Sequence, residues 1–313
     1  MKCGIIIIII GVIIAICHPQ LTLQGAINGL NIWFFQLLPT LLPFMIVSNI
    51  LLSKDITRPL LGAVSPWLQK RMRFLCILFN LFAGFTFGLP IGAKITQNLL
   101  DDHVITEKQG QILLNNCNVI GPSFVGGFFL TNKLQHPEWL EITFAILYLP
   151  QLCCCVLSLL RILRTPANDE PNSPAIHMKK ATPRLKNCFQ ILDVAIMNGF
   201  ETITILGGYL IMFGILCMYI KELSIIPCWL NACLIAILEI TSGIHEIAAL
   251  AIPTNAKYLL SIPMLSFGGL CTAMQTRSIM RTTSLSIPKY LRHKIIYAGI
   301  SAACALLFYT TLC

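Results

Sequence analysis

The chain has 313 residues, of which 56% are hydrophobic and 11% charged, and its mean hydropathy is +0.77. Soluble domains carry about 25% charged residues, so a water-soluble globular domain is excluded and lipid is the solvent. The formal net charge of +9 is no signature of nucleic-acid binding, because Lys and Arg gather in loops beside apolar runs, where the positive-inside rule expects them.

A β-barrel is excluded too, since its strands would alternate strictly over about 10 residues and these runs are apolar all round. The fourteen cysteines lie mostly inside apolar runs, Cys153, Cys154 and Cys155 among them. With no CxxC pair, they read as small apolar residues rather than as metal or redox ligands.

Lys2 followed by Gly4 to Cys17 has the charge and core of a signal peptide. Ala15-Ile16-Cys17 lacks the small residue that precedes a lipidated cysteine, so a first membrane helix is expected. His18 to Leu30 carries no Lys or Arg and is expected as an external loop, closing an N-terminal unit over 1–30. Clear spans follow at Asn31 to Leu52, Ile112 to Thr131, Leu140 to Leu163, Ile203 to Ile220, Tyr258 to Gln275 and Ile295 to Leu312. Each approaches the ~20 residues that cross a bilayer as helix.

Two further apolar stretches are interrupted. Phe74 to Leu100 breaks at Gly88-Leu89-Pro90-Ile91-Gly92-Ala93-Lys94, and Pro227 to Pro253 breaks at Glu239-Ile240-Thr241-Ser242-Gly243-Ile244-His245. Three basic loops set direction: Lys54, Arg58, Lys70, Arg71 and Arg73; then Arg164, Lys179, Lys180, Arg184 and Lys186; then Arg277, Arg281, Lys289, Arg292 and Lys294. All three are expected to face the cytoplasm.

From Arg73 inside to Leu140 outside the chain must cross an odd number of times. Ile112 to Thr131 supplies one crossing, so Phe74 to Leu100 makes none or two. A hairpin dipping in from the cytoplasm satisfies this, with arms of about 13 residues reaching ~20 Å, to the midplane. By the same arithmetic Pro227 to Pro253 is a hairpin entering from outside. Helix, hairpin and helix then occur twice in opposite orientation, over 31–131 and 203–277, an all-α inverted repeat. Residues 132–202 hold a connecting helix, a Pro-rich linker from Thr165 to Pro183 and a stretch from Leu185 to Thr202 suited to lie at the interface. Residues 278–313 hold a basic loop and a last helix. An echo between Pro122-Ser123-Phe124-Val125-Gly126-Gly127 and Leu265-Ser266-Phe267-Gly268-Gly269 favours the repeat. The competing reading makes each interrupted stretch one kinked helix with a surface loop.

Non-helical backbone at membrane depth is tolerated only when buried in protein or lining a watery cavity, so the hairpin tips are the site candidates. Half-helix N-termini meeting there suit a carboxylate or other anion. Lys94 follows the first break, where a charge must be compensated, either by an anionic substrate or by snorkelling or pairing with Glu239 or Glu246. Glu239, Thr241, Ser242, His245 and Glu246 crowd the second tip, and Glu239, His245 and Glu246 suit a coupling H⁺ or Na⁺. Asn115, Asn116 and Asn118, then Gly121, Pro122 and Ser123, place amides and a break beside the first hairpin. Thr272, Gln275 and Thr276 are expected in the matching place of the second repeat. Amides in lipid more often join helices than bind ligands. His245-Glu246-Ile247-Ala248-Ala249 lacks the second ligand of a zinc protease, and Gly88 to Lys94 lacks the spacing of a P-loop.

GLPIGAK at Gly88 to Lys94, NNCNVIGPSF at Asn115 to Phe124, LEITSG at Leu238 to Gly243, SFGG at Ser266 to Gly269 and LLPTLLPF at Leu37 to Phe44 together resemble the sporulation integral membrane proteins of the nucleoside-recognition or Gate domain superfamily. The resemblance spans roughly 31–275. It implies a fold akin to concentrative nucleoside transporters and, for the sporulation members, a role in moving dipicolinic acid. It also implies a substrate site at Lys94, Asn115, Asn118, Ser123, Glu239, Thr241, Ser242 and Gln275. His245 and Glu246 lie beyond the matched motif.

The expectation is a multi-pass cell-membrane permease for a small organic anion or nucleoside-like heteroaromatic, with no cofactor and no enzymatic activity, since no nucleophile and base or metal cluster has usable spacing. Its partners are membrane lipid and the solute, not nucleic acid, and homo-oligomerisation is compatible with the pattern. A membrane scaffold of the same architecture is the alternative.

Overall fold

The computed structural model describes residues 11–51, 66–164, 188–223, 225–280 and 282–312, which are helical with no strand among them. Gly4 to Ile10, Lys54, Arg58 and the linker from Thr165 to Pro183 fall outside the described residues. Pro19–Leu51, Pro137–Leu160, Phe189–Lys221, Thr254–Ile279 and Ile287–Tyr309 are long and apolar enough to cross a membrane. The chain is thus a polytopic, all-α membrane protein.

The helices are α1 (Pro19–Leu51), with a π-helical turn over Trp33–Leu37; α2 (Pro66–Phe87) and α3 (Ile91–Asp101), a hairpin; and α4 (Glu107–Cys117) and α5 (Phe124–Leu134), the halves of a broken helix. Next come α6 (Leu140–Arg164) and α7 (Cys188–Lys221). Then follow the hairpin α8 (Cys228–Leu238) and α9 (Ile240–Ala249), the broken helix α10 (Thr254–Phe267) and α11 (Leu270–Ile279), and α12 (Ile287–Leu312).

Three expectations are corrected. His18 to Leu30 is not a loop: Pro19 sets the first turn, where its missing N–H costs nothing, and the helix runs on through Leu51. The stretch from Cys188 to Thr202 is no separate interfacial segment, because it continues into Ile203–Ile220 as one helix. The third basic group is only partly a loop, since Lys289, Arg292 and Lys294 belong to α12.

The order long helix, hairpin, broken helix, long helix occurs twice, as α1 to α6 and as α7 to α12. The two units are therefore longer than the loop-charge argument expects, and α6 and α12 are each unit's fourth member. With each broken helix counted as one crossing, a unit makes three crossings and one excursion. That odd number turns the second unit upside down relative to the first.

The long helices α1 and α7 pack antiparallel. Trp33 Nε1 donates to the Ile203 carbonyl at 2.7 Å, Thr22 Oγ1 lies 2.6 Å from the Tyr219 hydroxyl, and Asn49 Nδ2 donates to the Ala195 carbonyl at 3.3 Å. Gly25 and Gly29 of α1 meet Gly214, Ile215 and Leu210 of α7 backbone to backbone, a separation that no Cβ would fit. Small residues bring membrane helices together in this way, because van der Waals contact replaces the hydrophobic drive that lipid removes.

The core falls into two main clusters, each drawn from both units. One joins Ile91, Ile95, Leu113 and Leu114 to Ala273 and Tyr290; the other joins Val125, Phe129 and Leu147 to Ile240, Ile244 and Ile262. The units are interlocked rather than side by side.

Candidate functional site: four chain breaks between two cavities

Each hairpin tip is a local failure of the helix ladder. In the first, Gly88 takes φ 81°, open to glycine at no steric cost, before a cis Leu89–Pro90 peptide, and α3 starts at Ile91. In the second, Glu239 is extended at φ −139°, ψ 117°, separating α8 from α9. The broken helices fail at Asn118 to Gly121 and at Gly268-Gly269, both glycines at positive φ. Gly88 packs on the backbone of Gly121. A Cβ at Gly269 would stand 3.2 Å from Ile240 N and 3.4 Å from Leu238 O, and one at Gly268 would stand 3.3 Å from Leu89 Cδ1. The four breaks thus meet in one junction.

Paired polar groups fill that junction. Glu239 is 3% exposed, and its carboxylate accepts from Thr241 N at 2.9 Å and Ser242 N at 2.7 Å. It caps α9 and supplies the negative charge that the helix N-terminus favours. The expectation that this N-terminus stands open for an anionic substrate is therefore corrected, because the chain's own carboxylate takes its first free N–H groups. Asn118 Nδ2 donates to Thr276 Oγ1 at 2.9 Å and to the Tyr290 hydroxyl at 3.0 Å, while its Oδ1 has no partner among the described residues. Asn115 accepts from Gln111 Nε2 at 2.8 Å, and Asn116 from the Tyr297 hydroxyl at 2.6 Å. Gln275 Nε2 lies 3.4 Å from Cys271 Sγ.

Two cavities flank the junction. The larger, of about 510 Å³, is lined by Asn28, Asn31, Ile32, Phe35 and Gln36 of α1, Phe128 and Lys133 of α5, and Thr241, Ser242, His245 and Glu246 of α9, with Lys221 at its rim. The smaller, of about 150 Å³, is lined by Asn198, Glu201, Thr202 and Ile205 of α7, Ser278 and Ile279 of α11, and Lys94 and Gln97 of α3. Each is built from a long helix, the second half of the same unit's broken helix, and the second hairpin arm of the other unit. Asn28, Asn31, Ile32 and Phe35 correspond to Asn198, Glu201, Thr202 and Ile205 at one constant offset along the chain. The cavities are thus counterparts under the repeat, and the smaller one lies on the side of Arg277, which loop charge assigns to the cytoplasm.

The expected site residues are divided by this arrangement. Thr241, Ser242, His245 and Glu246 line the larger cavity and Lys94 the smaller, whereas Asn115, Asn118, Glu239 and Gln275 are buried in paired contacts between them. Ser123 is exposed and lines neither. Thr272, Gln275 and Thr276 follow the second break while Asn115 and Asn116 precede the first, so the two sets are not in matching places. The SFVGG and SFGG echo is out of register as well, since Gly126 and Gly127 lie within α5 and Gly268-Gly269 is itself the break. Two polar contacts join side chains that line the larger cavity, Lys133 Nζ to His245 Nδ1 at 2.8 Å and Lys221 Nζ to Glu246 Oε1 at 2.7 Å. Lys133, Lys221, Asn28, Asn31, Asn198 and Glu201 escape reading from sequence. For Asn28, Asn31, Asn198 and Glu201 the signal is a polar residue recurring at equal spacing in two long apolar helices, visible only once the helices are aligned.

The chain is 22% identical to the sporulation integral membrane protein YlbJ of Bacillus subtilis (strain 168) over an alignment of 325 positions, which covers 95% of this chain and 80% of that one. No family model matches the chain, and no solved structure matches it. The likeness to that integral membrane protein runs over nearly the whole chain and agrees with the described membrane spans.

Proposed function

We propose that the chain is a permease that moves a small polar solute across the cell membrane, exposing the junction of the four breaks first to one cavity and then to the other. The observation that carries this reading is the pair of cavities built from equivalent elements of two inverted units. Inverted repeats with broken helices at the midplane are the architecture on which alternating access operates. Asn28, Asn31, Gln36, Thr241 and Ser242 offer hydrogen bonds on one side, and Lys94, Gln97 and Asn198 on the other. Lys94, Lys133 and Lys221 bring cationic groups to the two cavities, which suits an organic anion. The resemblance to Gate proteins makes dipicolinate the first solute to try and nucleosides the second.

The second reading, a non-transporting scaffold, is favoured by one observation: Asn115, Asn118 and Gln275 are dry and engaged in pairs rather than gathered round one cavity. Uptake of labelled dipicolinate and nucleosides into proteoliposomes separates the two. Transport predicts uptake by the parent and its loss in Lys94→Met and Ser242→Trp. A parent that moves none of these solutes, with both variants supporting normal sporulation or growth, contradicts it.

A further inference from the structure

The two cavities match in construction but not in charge. Lys133, Lys221 and Glu246 line the larger, outer one, and Lys94 and Glu201 the smaller, cytoplasmic one. Lys221 Nζ and Glu246 Oε1 cancel at 2.7 Å, which leaves one lysine on each side, Lys133 outside and Lys94 inside. Among the described residues the partners of Lys133 are neutral. His245 Nδ1, at 2.8 Å, must accept from the ammonium and so belongs to an uncharged ring, and the centroid of the Phe128 ring lies 5.2 Å from the amine. Lys133 stands in the last turn of α5, where the helix end supplies only about half a unit of opposite charge.

Asn31 and Glu201 make the difference. They hold the same place in α1 and α7, under the offset that also pairs Asn28 with Asn198 and Phe35 with Ile205, and both are exposed. A carboxylate therefore lines the cytoplasmic cavity at the position where an amide lines the outer one. The lining charges sum to +1 outside and to zero inside. Two further charges stand behind the linings without forming part of them. Glu239 accepts from Thr241 N and Ser242 N against the positive end of α9, and Arg277 is exposed on the cytoplasmic side, where water and salt screen it.

We propose that the repeat-related pair Asn31 and Glu201 sets the sidedness of this chain toward anions. The amide leaves Lys133 in surplus and makes the outer cavity the tighter site for an anionic solute, whereas the carboxylate balances Lys94 and makes the cytoplasmic cavity the looser one. A cavity of about 510 Å³ keeps its lining groups within ~10 Å of a bound anion, about one Debye length in 0.1 M salt, so a single charge is felt across it. The consequence for transport rests on the permease reading; the difference in charge between the cavities does not.

Two measurements decide it. In a cysteine-depleted chain in detergent, Ser242→Cys reports the outer cavity and Ser278→Cys the cytoplasmic one. Each is labelled with an anionic and with a cationic methanethiosulfonate, and the ratio of the two rates reads the sign of the local field, because the thiolate fraction cancels. The anionic-to-cationic ratio should be about threefold or more higher at Ser242→Cys than at Ser278→Cys. Asn31→Glu should lower the first ratio and Glu201→Gln raise the second; if Asn31→Glu does not fold, Glu201→Gln carries the comparison. Equal ratios in the parent, or ratios that neither variant moves, overturn the proposal. In oriented proteoliposomes, the half-saturating concentration of dipicolinate should be lower from the outer side than from the cytoplasmic side, and Glu201→Gln should bring the two values together. Values that are already equal in an active parent overturn the role in transport. A parent inactive toward dipicolinate refutes the permease reading for that solute and leaves the labelling ratios to decide the charge assignment.

Discussion

Glu239 sits at a chain break and spends its carboxylate on the chain's own helix, accepting from Thr241 N and Ser242 N at the start of α9. Its carboxylate satisfies two N–H groups in a place where an unmet buried donor costs about 1–3 kcal/mol. Glu239→Ala should therefore lose at least the ~0.5–2 kcal/mol of an N-cap, seen as a clear drop in thermal midpoint in detergent. Glu246→Gln breaks only the half-exposed pair with Lys221, worth less than about 1 kcal/mol, and should leave the midpoint almost unchanged. Equal effects would contradict the assignment of roles. His245 makes a second residue-scale prediction. The Lys133 ammonium can donate only to an unprotonated imidazole nitrogen, so this contact exists above the histidine range and gives way to repulsion between two cations as pH falls through it. Every thiol labels more slowly as its thiolate fraction falls, so the measure is the Ser242→Cys rate in the parent relative to that in Lys133→Met, a ratio that should rise on acidification. A ratio indifferent to pH would show that the contact does not govern access to the cavity. Thr241, Ser242, His245 and Glu246 were legible as a polar cluster next to a break. Lys294 was not, because its neighbours Lys289 and Arg292 made it read as one more loop charge, and only helical phase places it on the inner face.

Among the elements, α1 shows why boundaries were the harder part. His18 to Leu30 contains Pro19, Gly25 and Gly29, several polar residues and no Lys, Arg, Asp or Glu, which is the composition of a short loop. In the fold those glycines are what lets α1 lie against α7. The helical state comes from that tertiary packing rather than from local propensity, which glycine opposes by about 1 kcal/mol per residue. Gly29→Ala, whose new methyl would meet the Leu210 carbonyl and the Ile211 backbone, should lower stability or expression sharply. Gly208→Ala on α7, with open space around it, should be neutral or slightly stabilising. A thermal midpoint indifferent to Gly29→Ala would show that the two helices are not in close contact. The hairpins, by contrast, were readable, because Gly88-Leu89-Pro90 and the Glu239 segment interrupt apolar runs with residues that glycine geometry and helix capping explain.

At the scale of the whole molecule, loop charge was enough to suggest inversion, yet it undercounted the unit. Charge says which side a loop occupies and nothing about which helices are equivalent. The equivalence of α6 with α12, and the constant offset between α1 and α7, appear only in three dimensions. Two inverted units of four elements, each lending a long helix and half a broken helix to a cavity on its own side of the membrane, are the central claim. It is tested most directly by thiol accessibility in a cysteine-depleted chain carrying Ser242→Cys or Ser278→Cys, probed with a membrane-impermeant reagent on oriented vesicles. The account predicts that Ser242→Cys reacts only from outside and Ser278→Cys only from the cytoplasm. Labelling of both positions from the same side would contradict it.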